Sequence, residues 1–244
     1  MAAAALPFLL DAGTFVVGAA LILAMHGNLT PAPDGPPAAM TTRIAEGFRW
    51  LWRHRLIRVL AFFAAVWNLA VGAVSAIYVL FALELLGVDE VGFGLLVVTE
   101  GVGGLIGTLV APRLSTRLGT GTTILAATAF QGSAYVVIGL LSDPWVAGVV
   151  TAAGNVGALA AIVLVVSLRQ STVPGHLLGR VTSAMRFIAV GAMPLGAVAG
   201  GVLGSFLGLR VPSLAAGSVL LGLRLVAAPT INNRAVAAHL VERE

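Results

Sequence analysis

The chain contains no cysteine, and every one of its fourteen basic residues is arginine. Without cysteine there is no disulfide framework, no thiolate metal site and no cysteine nucleophile. Charge is scarce too: 10% of residues are Asp, Glu, Lys or Arg, against about 25% in soluble domains. The histidines, His26, His54, His176 and His239, fall at the ends of apolar runs or in the tail, and none has a partner at metal-ligand spacing. No serine or threonine has a histidine and an acid in a recognisable hydrolytic order. The glycines follow helix-packing intervals and lack the preceding strand that a phosphate loop needs. No enzyme site, metal site or cofactor is therefore expected. The net charge of +4 is no nucleic-acid signal, because the arginines lie between apolar runs and form no stripe among aromatics.

What the chain has in quantity is apolar sequence: 59% of 244 residues are hydrophobic and the mean hydropathy is +1.01. This composition defines an all-α integral membrane protein. Seven segments reach the roughly 20 residues that span a bilayer: 5–26, 57–83, 92–112, 122–141, 145–168, 185–207 and 212–230. A secretory signal peptide carries a basic region ahead of its apolar core. Here the first basic residue is Arg43, so Met1–His26 reads as a transmembrane helix. Arg43, Arg49, Arg53, Arg55, Arg58, Arg113, Arg117, Arg169, Arg180, Arg186, Arg234 and Arg243 gather on one side, while Arg210 shares the other with Glu84, Asp89, Glu90 and Asp143. The positive-inside rule makes the first side cytoplasmic, with the N-terminus outside and the C-terminus inside. Residues 27–55 hold a Pro- and Gly-rich linker, PAPDGPPAAM, and then TTRIAEGFRWLWRHR. The latter puts Ile44, Phe48, Leu51 and Trp52 opposite Glu46, Arg49 and Arg53, as in a helix lying on the membrane surface. A cytoplasmic extension of the next span is the other reading. Residues 56–231 follow as a six-helix bundle, and 232–244 as a cytoplasmic tail.

The third segment, GFGLLVVTEGVGGLIGTLVAPRLSTRLGTG, carries the most chemistry. Glu100 lies about 12 Å from its nearer end, too deep for a short side chain to reach the headgroups, and so faces protein or a water-filled cavity. Such a carboxyl exchanges protons between conformations or contacts cargo; the plainer reading is a buried acid hydrogen-bonded to a neighbour. Gly103 and Gly107, one turn apart, offer a packing face, as do Gly196, Gly200 and Gly204 after Pro194 in the sixth segment. Asn68 and Asn155 serve either a cavity or interhelical hydrogen bonds. Gln131 reads as structural, Asp11 as hydrated at the interface, and Arg224 as able to snorkel.

LLDAGTFVVGAAL, EGFRWLWRHRLIRVL, GGLIGTLVAPRLSTRLGTG and LRQSTVPGHLLGRVTSAMRF together resemble the C-terminal half of a major facilitator superfamily transporter of the drug and siderophore exporter type. The likeness covers nearly the whole chain, Met1–His26 matching the family's sixth helix and the remainder its helices seven to twelve. The family's cytoplasmic loop motif is partly present as Ala111, Leu114, Arg117 and Gly119, but Thr116 stands where its acid would be. The resemblance implies proton-coupled efflux of a small amphipathic molecule across the bacterial inner membrane, with Glu100, Asn68 and Asn155 along the cavity. It also implies a partner, either a missing N-terminal half or a second copy, since alternating access rocks two halves around a midplane site. An incomplete transporter fragment, and a membrane scaffold or sensor, are the alternative readings.

Overall fold

In the computed structural model, residues 2–24, 40–234 and 236 are described. The expected linker at 27–39, His26, His239 and most of the tail lie outside them. The chain divides into two units, Met1–Ala38 and Ala39–Glu244. In the first, α1 runs Ala2–Ala24. Its sequence is apolar apart from Asp11 and Thr14, and the Asp11 carbonyl accepts from the Thr14 hydroxyl at 2.7 Å.

The second unit is helical throughout its described residues: α2 (Met40–Arg53), α3 (Arg55–Leu80, prolonged by a π turn over Phe81–Leu85), α4 (Glu90–Leu118), α5 (Thr120–Leu140), α6 (Pro144–Thr172), α7 (Gly175–Leu207) and α8 (Val211–Ile231). Helices α3 to α8 are each long and apolar enough to cross a membrane, and the Asp11–Ala24 stretch of α1 is apolar as well. This is an all-α membrane fold of about seven helices. Local chemistry sets the ends. Asp89 and Asp143 cap α4 and α6 by accepting from the amides of Gly92 and Val146, which satisfies donors a helix start leaves bare. The turns after the π segment, α4 and α7 place Gly87, Gly119 and Gly208 at positive φ, a conformation that stops a helix at little cost only in glycine.

Two ends differ from the hydropathy reading. Helix α4 continues six residues past 112, through Pro112 to Leu118, and α7 begins at Gly175, ten residues before 185. Hydropathy marks the hydrocarbon, whereas a helix extends into water wherever polar residues such as Arg113, Arg117 and Arg180 allow it.

Packing joins α4 to α6, α6 to α5, α5 to α8, α8 to α3 and α3 to α7. The six spans thus form an arc whose two ends are α4 and α7. Accordingly 22% of the apolar stretch is buried in α4 and in α7, against 39 to 50% in the other four. The α3–α7 and α4–α6 contacts are close because their glycines lie against backbone. A Cβ on Gly196 or Gly200 would meet the carbonyls of Leu69 and Ala73, and one on Gly103 or Gly107 those of Ala152 and Val156. Gly204 instead faces the side chain of Ile77, 3.0 Å from Cγ2.

Helix α2 lies across α7. Leu51 is fully buried, and Gly47 lets the Arg180 carbonyl approach to 2.6 Å of where a Cβ would stand. Glu46 accepts from Arg180 at 2.6 Å; with both side chains partly exposed this pair contributes under about 1 kcal/mol. Ile44 and Trp52, on the same apolar stripe, stay 51% and 61% exposed.

Candidate functional site

Inside the arc lies a cavity of 210 Å³ lined from α3, α4, α5, α6 and α8. Its walls mix aromatic and polar groups: Trp67, Tyr78 and Tyr135 beside Glu100, Gln131 and Asn155. Helical spacing supplies the α3 wall, since Trp67, Val71, Val74 and Tyr78 recur every three or four residues on one face.

Glu100 is the one ionisable acid among the cavity residues. It is half-buried and shares the cavity wall with Tyr78, Tyr135, Gln131 and Thr151. These groups are near one another without being saturated. Of the four buried side-chain polar atoms lacking a hydrogen-bond partner among the described residues, three line this cavity: Tyr78 Oη, Gln131 Oε1 and Ser213 Oγ. Buried polar atoms are ordinarily paired, and each such orphan costs about 1–3 kcal/mol. Their convergence is what a site for a polar or hydrogen-bonding guest looks like.

The residues singled out in sequence distribute unevenly. Glu100 and Asn155 reach the cavity. Asn68 is part-buried and not among the lining residues; its amide donates to the Ala64 carbonyl at 2.8 Å. Asn155 makes the same bond one turn back, to Thr151 at 3.3 Å. Gln131, read as structural, has its Oε1 free on the cavity wall. Tyr78, Tyr135 and Trp67 give no signal in the sequence, because an aromatic in an apolar run carries no mark of whether it faces lipid or a cavity.

The loop motif sits at the end of α4, beyond the apolar stretch. Leu114 is half-buried and Arg117 exposed. Thr116, in the acid's place, donates to the Arg113 carbonyl on its own helix at 2.9 Å, so it relays no charge. The turn at Gly119 is held from α8's end: Asn233 donates to the Leu118 carbonyl at 2.6 Å and accepts from the Thr122 amide at 3.0 Å. Sequence reading missed Asn233, since a polar residue in a tail signals nothing until the fold brings it to this turn.

Comparison with known proteins agrees with this architecture. The family model for transmembrane secretion effectors matches residues 1–241. The multidrug efflux pump Tap of Mycolicibacterium fortuitum is 30% identical over 209 residues, 84% of this chain and 50% of the pump. The chain spans about half the length of that curated relative. With spanning helices, a polar cavity on their inner side and a match over nearly all its residues, the chain belongs to the transmembrane secretion effector family of major facilitator superfamily transporters.

Proposed function

We propose that the chain is one half of an efflux transporter of the bacterial plasma membrane that exports a small amphipathic molecule in exchange for protons. The observation that carries this is the cavity in which Glu100 faces unsatisfied hydroxyl and amide groups amid aromatic rings. Aromatic walls suit an apolar body, and the hydrogen-bonding groups suit a polar end. Glu100 alternates between a protonated form and a form bound to cargo as the site changes its exposure.

Three features support a second half as partner. Helices α4 and α7 close no ring; the cavity is smaller than the roughly 300–1,000 Å³ of a drug-sized site; and the match to the relative named a multidrug efflux pump covers 50% of that pump. The partner is an N-terminal half encoded upstream or a second copy. An upstream reading frame encoding about five or six further spans distinguishes these. The arginine-rich ends of the spans lie in the cytosol, with the N-terminus outside and the C-terminus inside.

The test uses the complete transporter in vesicles with an imposed proton gradient. Glu100→Gln is expected to abolish gradient-driven efflux while inserting normally. Unchanged pH-dependent efflux by that variant removes Glu100 from the mechanism.

A further inference from the structure

Two apolar crevices flank Phe48 where α2 meets the bundle. One, of 500 Å³, lies between α2 and α7 with Arg180 in its wall, and Glu46 already neutralises that arginine. The other, of 610 Å³, lies between α2, α3, α7 and α8 with Arg58 at its mouth. Arg58 has no acidic partner, for Arg180–Glu46 is the one ion pair among the described residues. Nor is Arg58 adrift. One of its terminal nitrogens donates to the Trp52 carbonyl at 2.9 Å, which fixes the guanidinium and leaves most of its five donors free.

Below Arg58 the walls are hydrocarbon: Val59, Phe62, Ile188, Leu223 and Val226. Phe62 and Val226 are 57% and 72% exposed, so the crevice opens sideways from the bundle, where acyl chains lie. Trp52, 61% exposed, lines the same crevice as Arg58, and an indole favours a headgroup boundary. Arg53 and Arg55, both exposed, add positive charge on the aqueous side.

We propose that this crevice is a binding site for an anionic phospholipid, its phosphate on Arg58 and an acyl chain between α3 and α8. A guanidinium held at a fixed point over an apolar slot matches a phosphate diester above a hydrocarbon tail, and basic pockets between spans favour such headgroups. A zwitterionic lipid fits the slot equally but brings a cation toward Arg58, so the site selects by charge. The inference requires only that the spans lie in a bilayer and is independent of the transport reading.

The test reconstitutes the full chain in phosphatidylcholine vesicles containing a minority of acyl-brominated phosphatidylglycerol. Bromine quenches nearby indoles, and the share due to Trp52 is obtained by difference from Trp52→Phe. Brominated phosphatidylglycerol is expected to quench Trp52 several-fold more than brominated phosphatidylcholine at equal fraction. Arg58→Gln brings the two lipids level, Arg58→Lys keeps most of the preference, and Arg113→Gln, an exposed arginine elsewhere, changes nothing. Equal quenching by both lipids in the wild type overturns the proposal. So does a preference that survives Arg58→Gln, which would mean that another segment of the chain covers the crevice and the selectivity arises elsewhere.

Discussion

Replacing Gly200 by alanine tests whether close helix contact holds the bundle together. An ideal Cβ there stands 2.6 Å from the Ala73 Cα and 2.7 Å from its carbonyl carbon, whereas unstrained carbon contacts lie at about 3.5–4.0 Å. The obstacle is backbone and cannot rotate away. Helix α7 must therefore retreat from α3 by about 1 Å, loosening the neighbouring Gly196–Leu69 contact as well. Overpacking of this kind costs about 1–3 kcal/mol, or a fall in melting temperature of roughly 2–12 °C for a domain of this size. The comparator is Gly201→Ala, one residue along, where a Cβ meets nothing within 4 Å. Gly204→Ala should fall between, because the Ile77 methyl at 3.0 Å can shift. The assay is thermal unfolding in detergent followed by tryptophan fluorescence. The same melting temperature for Gly200→Ala and Gly201→Ala would refute the argument, for the two variants differ only in which way the added methyl points.

Two further variants probe the ends of the bundle. Arg210 donates to the carbonyls of Gly139 and Leu141 at 3.0 and 2.8 Å and to the Ser142 hydroxyl at 2.7 Å, closing off α5 where its carbonyls lack amide donors. Arg210→Ala is expected to cost about 1–3 kcal/mol and to speed amide exchange at Leu140–Ser142; Arg210→Lys restores only part, since an ammonium lacks the planar fork. Asn233→Ala releases Leu118 and Thr122 together, so protease cleavage near Gly119 should rise while the melting temperature moves by no more than a few degrees. Unchanged cleavage would show that the turn holds without its strap.

The spans were legible in sequence because a bilayer imposes one rule on every segment, and Leu, Val and Ala obey it visibly. Their ends were less so: nothing in the hydropathy of APRLSTRL distinguishes helix in water from loop. Glu100 stood out for being costly where it is, and Gly200 for its spacing. Tyr78 and Tyr135 did not stand out, because their significance is relational, a matter of α3 and α5 turning the same way toward α4. Gln131 and Asn68 show the same limit from opposite sides. Both are amides in apolar helices, and only packing places Gln131 on the cavity wall and leaves Asn68 donating to its own helix.

The arc's missing closure between α4 and α7 bears on what this polypeptide selects. In the transporter we propose, cargo would be sorted by whatever surface is brought opposite Glu100 and Tyr78. This chain would supply the hydrogen-bonding groups and aromatic rings, while its counterpart would set size and shape. The same half, given a different counterpart, would keep its preference for amphipathic molecules and change the dimensions it admits.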